Sequence, residues 1–351
     1  MACSAPSQAQ NWEATGAGVI TYQRTNRPAI ASEIAGSADL ILTKIQLSSS
    51  WVLHLEAASS LDAQRIASNL PEANTDAGSA LNKDGKGRLQ LSELYYQHRL
   101  NSTQQISAGL VDISGFFEQS RIASDEATQF LGTYFTGNPL IEFPDYTLGV
   151  VYEHELAPGT VLRAGVSSSN GLADNSARSY NQVLSLTEKE KGVFAITSLS
   201  WRNQAYLIRL GAWTNTADHK SLDLNRSTAN NYGLYLLTGY QTGNHAWNMR
   251  LGLANEQVSK AMAFSSLGYQ YRFAEYVFGI GLARAFLSTN LQDNSVKDTE
   301  QYELYVRYAL TPKIYLTADL QNIVNSDFIA SETNKNRSTI VIGLRLSWLF
   351  G

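Results

Sequence analysis

The strongest constraint on this chain is a two-residue alternation of apolar with small or polar side chains that recurs almost to its last residue. A β-strand shows this alternation when one of its faces is wetted and the other is not. On this basis we predict eleven strands from Tyr146 onward: Tyr146–Glu155, Thr160–Ser168, Val193–Arg202, Ala205–Thr214, Tyr232–Gln241, Ala246–Glu256, Ala261–Phe273, Glu275–Phe286, Gln301–Leu310, Lys313–Gln321 and Ser338–Phe350. Alternating segments separated by turn residues are typical of a transmembrane β-barrel.

The earlier part of the chain fits the same scheme with five more strands. We place them at Ala14–Arg24, Gly36–Leu47, Trp51–Ser59, Arg88–Arg99 and Gln104–Val111. Short connections such as Asn203–Gln204 and Thr311–Pro312 alternate strictly with longer ones, as an up-and-down barrel requires, and the short turns belong on the periplasmic side. We therefore predict an all-β fold: a transmembrane up-and-down antiparallel β-barrel of about 16 strands over residues 12–351, with a short helix in the third long loop.

The composition agrees with a barrel that has a polar lumen. Charged residues make up 17% of the chain, whereas about 25% is typical of soluble domains. The mean hydropathy of −0.21 is expected when only alternate residues meet lipid. A net charge of −4 with scattered basic residues gives no footprint for nucleic acid. Outer-membrane lipid, lipopolysaccharide and small solutes are the expected partners, in a homotrimer or a monomer.

The N-terminal residues carry little information. Residues 1–11 lack the basic-then-apolar pattern of an intact signal peptide, so we interpret them as a remnant of an export segment or a tag. Cys3 is the single cysteine, which excludes a disulfide framework and a cysteine-based metal site. Lipid attachment at Cys3 stays open as an alternative to a cloning remnant. No cofactor is expected.

Aromatic residues give an independent indication of a membrane boundary. Five of them, from different strands, fall beside short turns or near the C-terminus: Trp51, Trp201, Trp247, Tyr276 and Trp348. Rings with a polar tip favour the membrane–water interface, which predicts a periplasmic girdle. In the last strand, Ser338–Phe350, the apolar residues share one face and an aromatic residue lies near the end, as in the assembly signal of outer-membrane barrels.

The third long loop, Asp112–Asp145, is the longest connection and is expected to have a function. Its segment Glu118–Leu131 contains few β-branched residues and has apolar residues at helical spacing, which predicts a helix. In sixteen-stranded porins the third loop folds inward, so its position and length predict a pore constriction. An external cap is the alternative.

Strand parity predicts which charged residues face the lumen. Where Leu162, Ala164 and Val166 face lipid, Arg163 must face inward, since an Arg or Lys facing lipid at mid-depth costs roughly 2–4 kcal/mol. Together with the third loop, this parity gives a set of candidate pore-lining and constriction residues: Glu93, Asp112, Glu118, Arg121, Glu153, Arg163, Arg209, Arg250, Glu303, Tyr305, Arg307, Asp319 and Arg345. Charges of both signs across a pore orient polar solutes. Tyr305 and Tyr315 are candidate stacking faces for sugar rings. Hydration and bracing of the wall is the simpler alternative for each residue.

Several ordered motifs carry a family resemblance. They are Ser92-Glu93-Leu94-Tyr95-Tyr96, Asp125-Glu126-Ala127-Thr128-Gln129-Phe130-Leu131, Pro144 ahead of Gly149, Asp319-Leu320-Gln321-Asn322-Ile323 and Gly343-Leu344-Arg345-Leu346. From about Glu93 to the end, the chain resembles the carbohydrate-selective porins of the OprB type. The resemblance implies a bacterial outer-membrane channel for monosaccharides and small solutes, with arginine, acidic and aromatic residues at its constriction. The N-terminal part departs most from the family.

Other functions find less support in the sequence. The segment Asn82–Leu89 mimics a calcium-binding loop, but Lys86 stands where an oxygen ligand belongs, which favours a polar turn. The start of a zinc-protease pattern at His154-Glu155 fails because Pro158 replaces the second histidine. We therefore predict a passive diffusion channel, most simply for sugars, and not an enzyme. A polysaccharide-export channel or a general solute channel without sugar preference is the nearest alternative.

Overall fold

The structure is a computed structural model that describes residues 12–183, 186, 191–222, 228–291, 297–326 and 338–351. Residues 1–11, with Cys3, lie outside the described residues, so the interpretations of that segment stay predictions. Sixteen strands form one sheet: β1 Trp12–Thr25, β2 Glu33–Ile45, β3 Ser49–Ala58, β4 Leu89–Arg99, β5 Gln104–Val111, β6 Thr147–Ala157, β7 Thr160–Ser168, β8 Val193–Arg202, β9 Tyr206–Lys220, β10 Thr228–Thr242, β11 His245–Ala254, β12 Ala261–Phe273, β13 Tyr276–Leu287, β14 Thr299–Thr311, β15 Ile314–Val324 and β16 Ser338–Phe350.

The sheet closes on itself. Every strand pairs antiparallel with its neighbours in the chain, and β16 also pairs with β1, from Gly16 opposite Phe350 to Thr25 opposite Val341. Closure leaves no edge with unpaired backbone groups, which is the condition for strands to cross a bilayer. The prediction of a sixteen-stranded up-and-down barrel is confirmed. In the part of the chain that the structure describes, no helix is long and apolar enough to cross a membrane.

The alternation of side chains follows the barrel wall. Along β16, Ile340, Ile342 and Leu344 are exposed on the outer surface, while Val341 and Arg345 are buried inside. The five aromatic residues predicted to form a girdle all lie on the outer face, between 37 and 41% exposed. The outer surface is therefore apolar, and polar groups collect in the interior.

The hairpin of β9 and β10 is longer than its alternation predicts. The predicted strands end at Thr214 and begin again at Tyr232, whereas β9 continues to Lys220 and β10 starts at Thr228. The extension pairs Thr228 with Lys220 and Ala229 with His219. Its side chains are polar on both faces, so the backbone ladder continues where the apolar pattern has already ended.

Five short helical segments occur among the described residues, all outside the strands. They are α1 Ile66–Asn69, a 3₁₀ turn Pro71–Ala73, α2 Ser114–Phe117, α3 Thr133–Thr136 and α4 Tyr180–Val183. We call residues 59–88 loop L2 and residues 112–146 loop L3. Both loops contribute buried apolar side chains to clusters with the inner wall. Phe130 and Phe135 of L3 pack with Tyr305, and Ile66 of L2 packs with Val341.

The prediction of a short helix in the third long loop is confirmed, but its predicted position, Glu118–Leu131, is wrong. The helical turns of L3 are α2 and α3, which lie on either side of that segment. Between them, Asp125 Oδ1 accepts hydrogen bonds from the backbone N–H groups of Ala127 and Thr128, at 3.0 and 3.2 Å. Side chains that bond their own backbone in this way compete with a helix. The carbonyl groups of the segment are also taken by side chains of the wall, as described next.

Candidate functional site

Arg250, on β11, joins both halves of L3 to the barrel wall. Its Nε donates to the two carboxylate oxygens of Glu118, at 2.9 and 3.1 Å. Its Nη2 donates to the carbonyl oxygens of Ala123 and Thr136, at 3.0 Å each, and its Nη1 donates to the carbonyl oxygen of Phe135. The side chain is 0% exposed. Arg250 faces inward as parity predicts, but L3 covers it completely.

Two further arginines hold the middle of L3. Arg345, on β16, donates from Nη2 to the carbonyl oxygen of Gln129 at 2.6 Å and from Nη1 to that of Glu126. Arg307, on β14, donates to the carbonyl oxygen of Thr128 at 2.7 Å. Buried carbonyl groups need a donor, and a charged donor forms the stronger bond. These arginines therefore replace the hydrogen bonds that a helix in L3 would have made.

An acidic residue of the wall binds L3 in the opposite sense. The carboxylate of Glu303, on β14, accepts the backbone N–H groups of Leu131 and Gly132, at 2.8 Å each. Nearby, Gln270 Nε2 donates to the carbonyl oxygen of Ile122 at 2.8 Å. Wall strands β11, β12, β14 and β16 thus provide both donors and acceptors for the backbone of L3, which fixes its position across the barrel.

Glycines of the inner wall provide room for the aromatic rings of L3. Phe135 lies against Gly281, where an added Cβ would stand 2.6 Å from the ring. Phe117 lies against Gly165, where an added Cβ would stand 2.9 Å from the ring. Contacts this short are not made by real Cβ atoms, so the close approach of L3 depends on glycine at these positions.

Loop L2 also enters the barrel. Gln23 of β1 and Gln321 of β15 both donate to the carbonyl oxygen of Ala73, at 2.9 Å each. The backbone N–H of Thr75 donates to the carbonyl oxygen of Leu131 in L3 at 3.0 Å. L2 therefore packs on L3 and covers the interior of the wall near β1 and β15.

Loop L3 spans the height of the barrel. It leaves β5 and enters β6 at the long-loop end, yet Arg121 at its tip donates to the carbonyl oxygens of Asn203 and Gln204, at 2.9 and 2.7 Å. These two residues form the short turn between β8 and β9. L3 thus reaches the opposite end of the barrel from the end where it begins.

The return of L3 toward β6 is fastened to the β9–β10 hairpin. Glu142 accepts hydrogen bonds from His219 Nε2 and Asn215 Nδ2, at 2.8 Å each, and from Asn231 Nδ2 at 2.6 Å. Burial alone would raise the pKa of Glu142, but these hydrogen bonds outweigh it and hold the pKa below its ordinary value. Glu142 is therefore a carboxylate at neutral pH and stabilises the docked loop.

A different part of the inner wall keeps charged groups in contact with open space. On β2, β3 and β4, His54 lies between Asp39 and Glu93, with N–O distances of 2.9 and 3.3 Å. On β6 and β7, Arg163 Nε donates to Glu153 at 2.5 Å. Asp39, Glu93 and Glu153 are 27, 16 and 30% exposed, in contrast to Arg250 and Arg345, which are buried.

Next to this pair, arginines line a cavity of about 300 Å³ between L3 and the strands β7, β8 and β9. Arg163, Arg202 and Arg209 come from the wall, and Arg121 comes from L3. Arg202 and Arg121 are exposed, whereas Arg209 is 5% exposed. The cavity carries positive charge at the end of the barrel with the short turns.

The candidate residues from the sequence fall into two groups. Glu93, Glu153, Arg163, Arg209 and Arg121 lie at the wall with partly exposed charges or at the arginine cavity, and Asp112 begins L3, where its backbone N–H donates to Glu93 at 2.9 Å. The other group faces inward on the side covered by L2 and L3 or, in the case of Glu118, belongs to L3: Glu118, Arg250, Glu303, Tyr305, Arg307, Asp319 and Arg345. All of them are buried except Arg307, which is half-buried and lines a cavity of about 210 Å³ together with Arg272.

The second group departs from what parity alone suggested. Tyr305 is 2% exposed and lies edge-on to Phe130 of L3, with ring centroids 5.0 Å apart, so no sugar ring reaches it in this arrangement. Tyr315 lies under the guanidinium of Arg307, whose carbon is 4.9 Å from the ring centroid. These side chains lie on the inner side of the wall, but the alternation along a strand carries no information on which of them a loop covers.

Sequence reasoning missed three charged groups of the exposed wall: Asp39, His54 and Arg202. Asp39 and Arg202 follow the alternation of β2 and β8 and could have been assigned inward from it. His54 also follows the alternation of its strand, β3, between Leu53 and Leu55, and could have been assigned inward in the same way. In the segment Asn82–Leu89, Asn82 Oδ1 accepts the N–H groups of Asp84 and Lys86, at 2.9 and 3.0 Å, as in a polar turn. No group of three or more potential metal ligands occurs among the described residues.

A closed antiparallel barrel with an apolar outer surface, and with its third loop inside, defines an outer-membrane protein of the porin class. The family model described as "Carbohydrate-selective porin, OprB family" matches residues 63–272 and 274–350. The chain therefore belongs to the OprB family of carbohydrate-selective porins, whose members are channels. It functions as an outer-membrane porin for small hydrophilic solutes, with sugars as the expected class.

Comparisons with individual proteins agree with this assignment. The chain is 22% identical over 292 residues to an uncharacterized protein of Aquifex aeolicus (strain VF5), covering 80% of this chain and 75% of that protein. The high-pH structure of Pseudomonas putida OprB is similar with a TM-score of 0.75 at 13% identity, covering 97% of this chain and 94% of that one. A mutant porin of Rh. blastica gives a TM-score of 0.60 at 10% identity, with 97% and 100% covered. At these identities, the likeness to the solved structures concerns the fold.

Proposed function

We propose that L3 is the constriction of this channel and that solutes pass between L3 and the wall formed by β2–β8. The observation that carries the proposal is the uneven attachment of L3: charged anchors hold it to β11–β16, whereas it meets β7 through the ring of Phe117. Hydrogen bonds from Arg250, Arg307 and Arg345 hold the loop on β11–β16. On the other side, Asp39, Glu93 and Glu153 keep contact with open space.

The chemistry of the exposed wall fits the passage of sugars. Asp39, Glu93 and Glu153 offer acceptors, while Arg163 and Arg202 offer donors, so hydroxyl groups that lose water can find new partners. Opposite charges in a narrow channel also orient polar molecules. Tyr95 and Phe116 pack edge to face with ring centroids 5.8 Å apart and offer an apolar surface to the face of a sugar ring.

Thiol modification tests the path. In a Cys3→Ser background, Glu153→Cys places a thiol on the proposed path, and Ala108→Cys places one on the outer face of β5 as the matched control. A charged methanethiosulfonate reagent should reduce the single-channel current of the first variant and leave that of the second unchanged. Glucose should reduce the current of the unmodified channel in a concentration-dependent way. Equal responses of the two cysteine variants would refute the path, and a current unaffected by any sugar would refute sugar passage.

We also propose that the outer surface contacts lipid and lipopolysaccharide in the bacterial outer membrane, and that the barrel forms a homotrimer. Exposed apolar residues on alternate strand positions support the lipid contact. OmpT of Vibrio cholerae, described in a trimer form, is similar in fold with a TM-score of 0.55 at 13% identity, covering 97% of this chain and 99% of that one. Analytical ultracentrifugation in a density-matched detergent should give the mass of three chains; a mass of one chain would refute the trimer.

A further inference from the structure

Arg209, on β9, is a buried cation without an acidic partner among the described residues. Its Nε donates to Ser200 Oγ at 3.0 Å, and this is the single hydrogen bond that its guanidinium makes there. Its Nη1 is buried with no hydrogen-bond partner in the part of the chain described. A guanidinium carries five N–H donors, and a buried charge is costly unless it is paired. Four donors of Arg209 therefore remain for another group.

The surroundings of Arg209 do not neutralise it. Arg163 and Arg202 lie close enough to repel its charge, and Glu153 is already engaged with Arg163. Glu118 is the acidic group that attracts Arg209, but its carboxylate is held by both hydrogen bonds from Arg250 Nε. The positive charges of Arg202 and Arg209 thus lie where wall and loop meet, without an ion-pair partner among the residues that the structure describes.

The cavity beside Arg209 has the size and lining of an anion site. It measures about 300 Å³, the lower end of the range for small-molecule pockets. Arg121, Arg163, Arg202 and Arg209 line it together with Gln119 and Ser120, and no carboxylate is among the described residues that line it. Guanidinium groups are suited to bidentate recognition of phosphate oxygens.

We propose that this cavity is a binding subsite for the phosphate group of a small solute. The subsite deepens the proposed function and rests on it, because the cavity borders the proposed path. A solute with a phosphate group supplies the acceptors that Arg209 lacks and the negative charge that balances Arg209 and Arg202. The preferred solutes of this porin then include phosphorylated small molecules, such as sugar phosphates, besides neutral sugars.

Planar-bilayer recordings of the purified full-length protein in potassium chloride test the subsite. Adding inorganic phosphate or glucose 6-phosphate should reduce the chloride current at concentrations at which glucose has a weaker effect. Arg209→Gln, which can keep a bond to Ser200, should raise the half-blocking phosphate concentration roughly tenfold or more, as expected for the loss of hydrogen bonds from a charged donor. Arg202→Gln should raise it several-fold.

Arg272→Gln is the matched control, since Arg272 ends the inward face of β12 and does not line this cavity. All three variants remove one positive charge, so only a specific site makes the first two differ from the third. Equal shifts in the three variants, or a phosphate effect no larger than that of glucose, would overturn the proposal. If free phosphate blocks the channel and glucose 6-phosphate does not, the subsite takes the free ion and the sugar phosphate is refuted.

A binding measurement separates the subsite from the channel function. Calorimetry of detergent-solubilised protein with inorganic phosphate should detect one site per chain that Arg209→Gln weakens and Arg272→Gln keeps. Binding without any bilayer conductance would refute the proposed function and support the subsite. Conductance without phosphate binding would refute the subsite alone.

Discussion

Replacing Arg250 with methionine should open the channel rather than simply change its charge. Methionine keeps much of the length of the side chain but donates no hydrogen bond, so Glu118 stays buried without its partner and the carbonyl groups of Ala123, Phe135 and Thr136 lose their donor. Breaking a buried ion pair by removing one partner costs about 3–5 kcal/mol. This cost shifts the equilibrium between docked and undocked L3 by roughly a hundredfold to a few thousandfold, because each 1.4 kcal/mol is about a factor of ten.

The assay is single-channel conductance of Arg250→Met in planar bilayers, combined with limited proteolysis of L3. We expect larger and noisier open-channel currents and faster cleavage within residues 118–136. Burial raises the pKa of Glu118, and Arg250 opposes that rise. Without Arg250, the carboxyl takes up a proton more readily, so the disturbance should be larger at pH 8 than at pH 5.

The double variant Glu118→Leu/Arg250→Met is the matched control, because it removes the unpaired carboxylate as well. It should recover part of the conductance of the unmodified channel. A different outcome would refute the reasoning: if Arg250→Met only moves the reversal potential toward cation preference, with unchanged conductance and proteolysis, then Arg250 is an exposed charge of the pore and not an anchor of L3.

Two further predictions concern the packing of the inward loops. Gly281→Ala should displace Phe135 and alter the single-channel conductance. Gly239→Ala is the control and should leave the current unchanged, because no atom lies nearer than 3.8 Å to a Cβ added at this inward glycine. Equal currents in the two variants would refute the role of Gly281. Burial raises the pKa of Asp76, in L2, from 3.8 to about 6, although Ser37 opposes the rise. The free energy of unfolding should therefore fall as pH rises from about 4 to about 6. Asp76→Asn should remove that dependence and add up to about 3 kcal/mol to the free energy of unfolding at pH 7, measured by urea unfolding with tryptophan fluorescence. An unchanged pH profile in this variant would refute the assignment to Asp76.

The barrel could be predicted from the sequence because it is encoded by the alternation of side chains within each strand, which is a local pattern. In Thr160–Ser168 and Ser338–Phe350 the predicted strand bounds agree with the structure, since alternation begins and ends where the strand does. The prediction was weaker wherever polar residues occupy both faces, as in the extension of β9 to Lys220. There the strand is maintained by backbone hydrogen bonds alone, and these do not produce a recognisable pattern in the sequence.

The roles of the inward charges could not be predicted, because they depend on contacts between residues far apart in the chain. Arg163 and Arg250 occur in the same alternating context, each inward between outward apolar residues, and parity assigns both to the lumen. The structure separates them through the position of L3, which covers Arg250 and leaves the cavity beside Arg163. That position in turn depends on backbone carbonyl groups of L3 that do not form helical hydrogen bonds. Arg250, Arg307 and Arg345 bind these carbonyl groups and so hold the loop on one half of the wall. On the function proposed above, charges of the other half such as Glu153 and Arg163 act on solutes, so the position of the loop contributes to the selectivity of the channel.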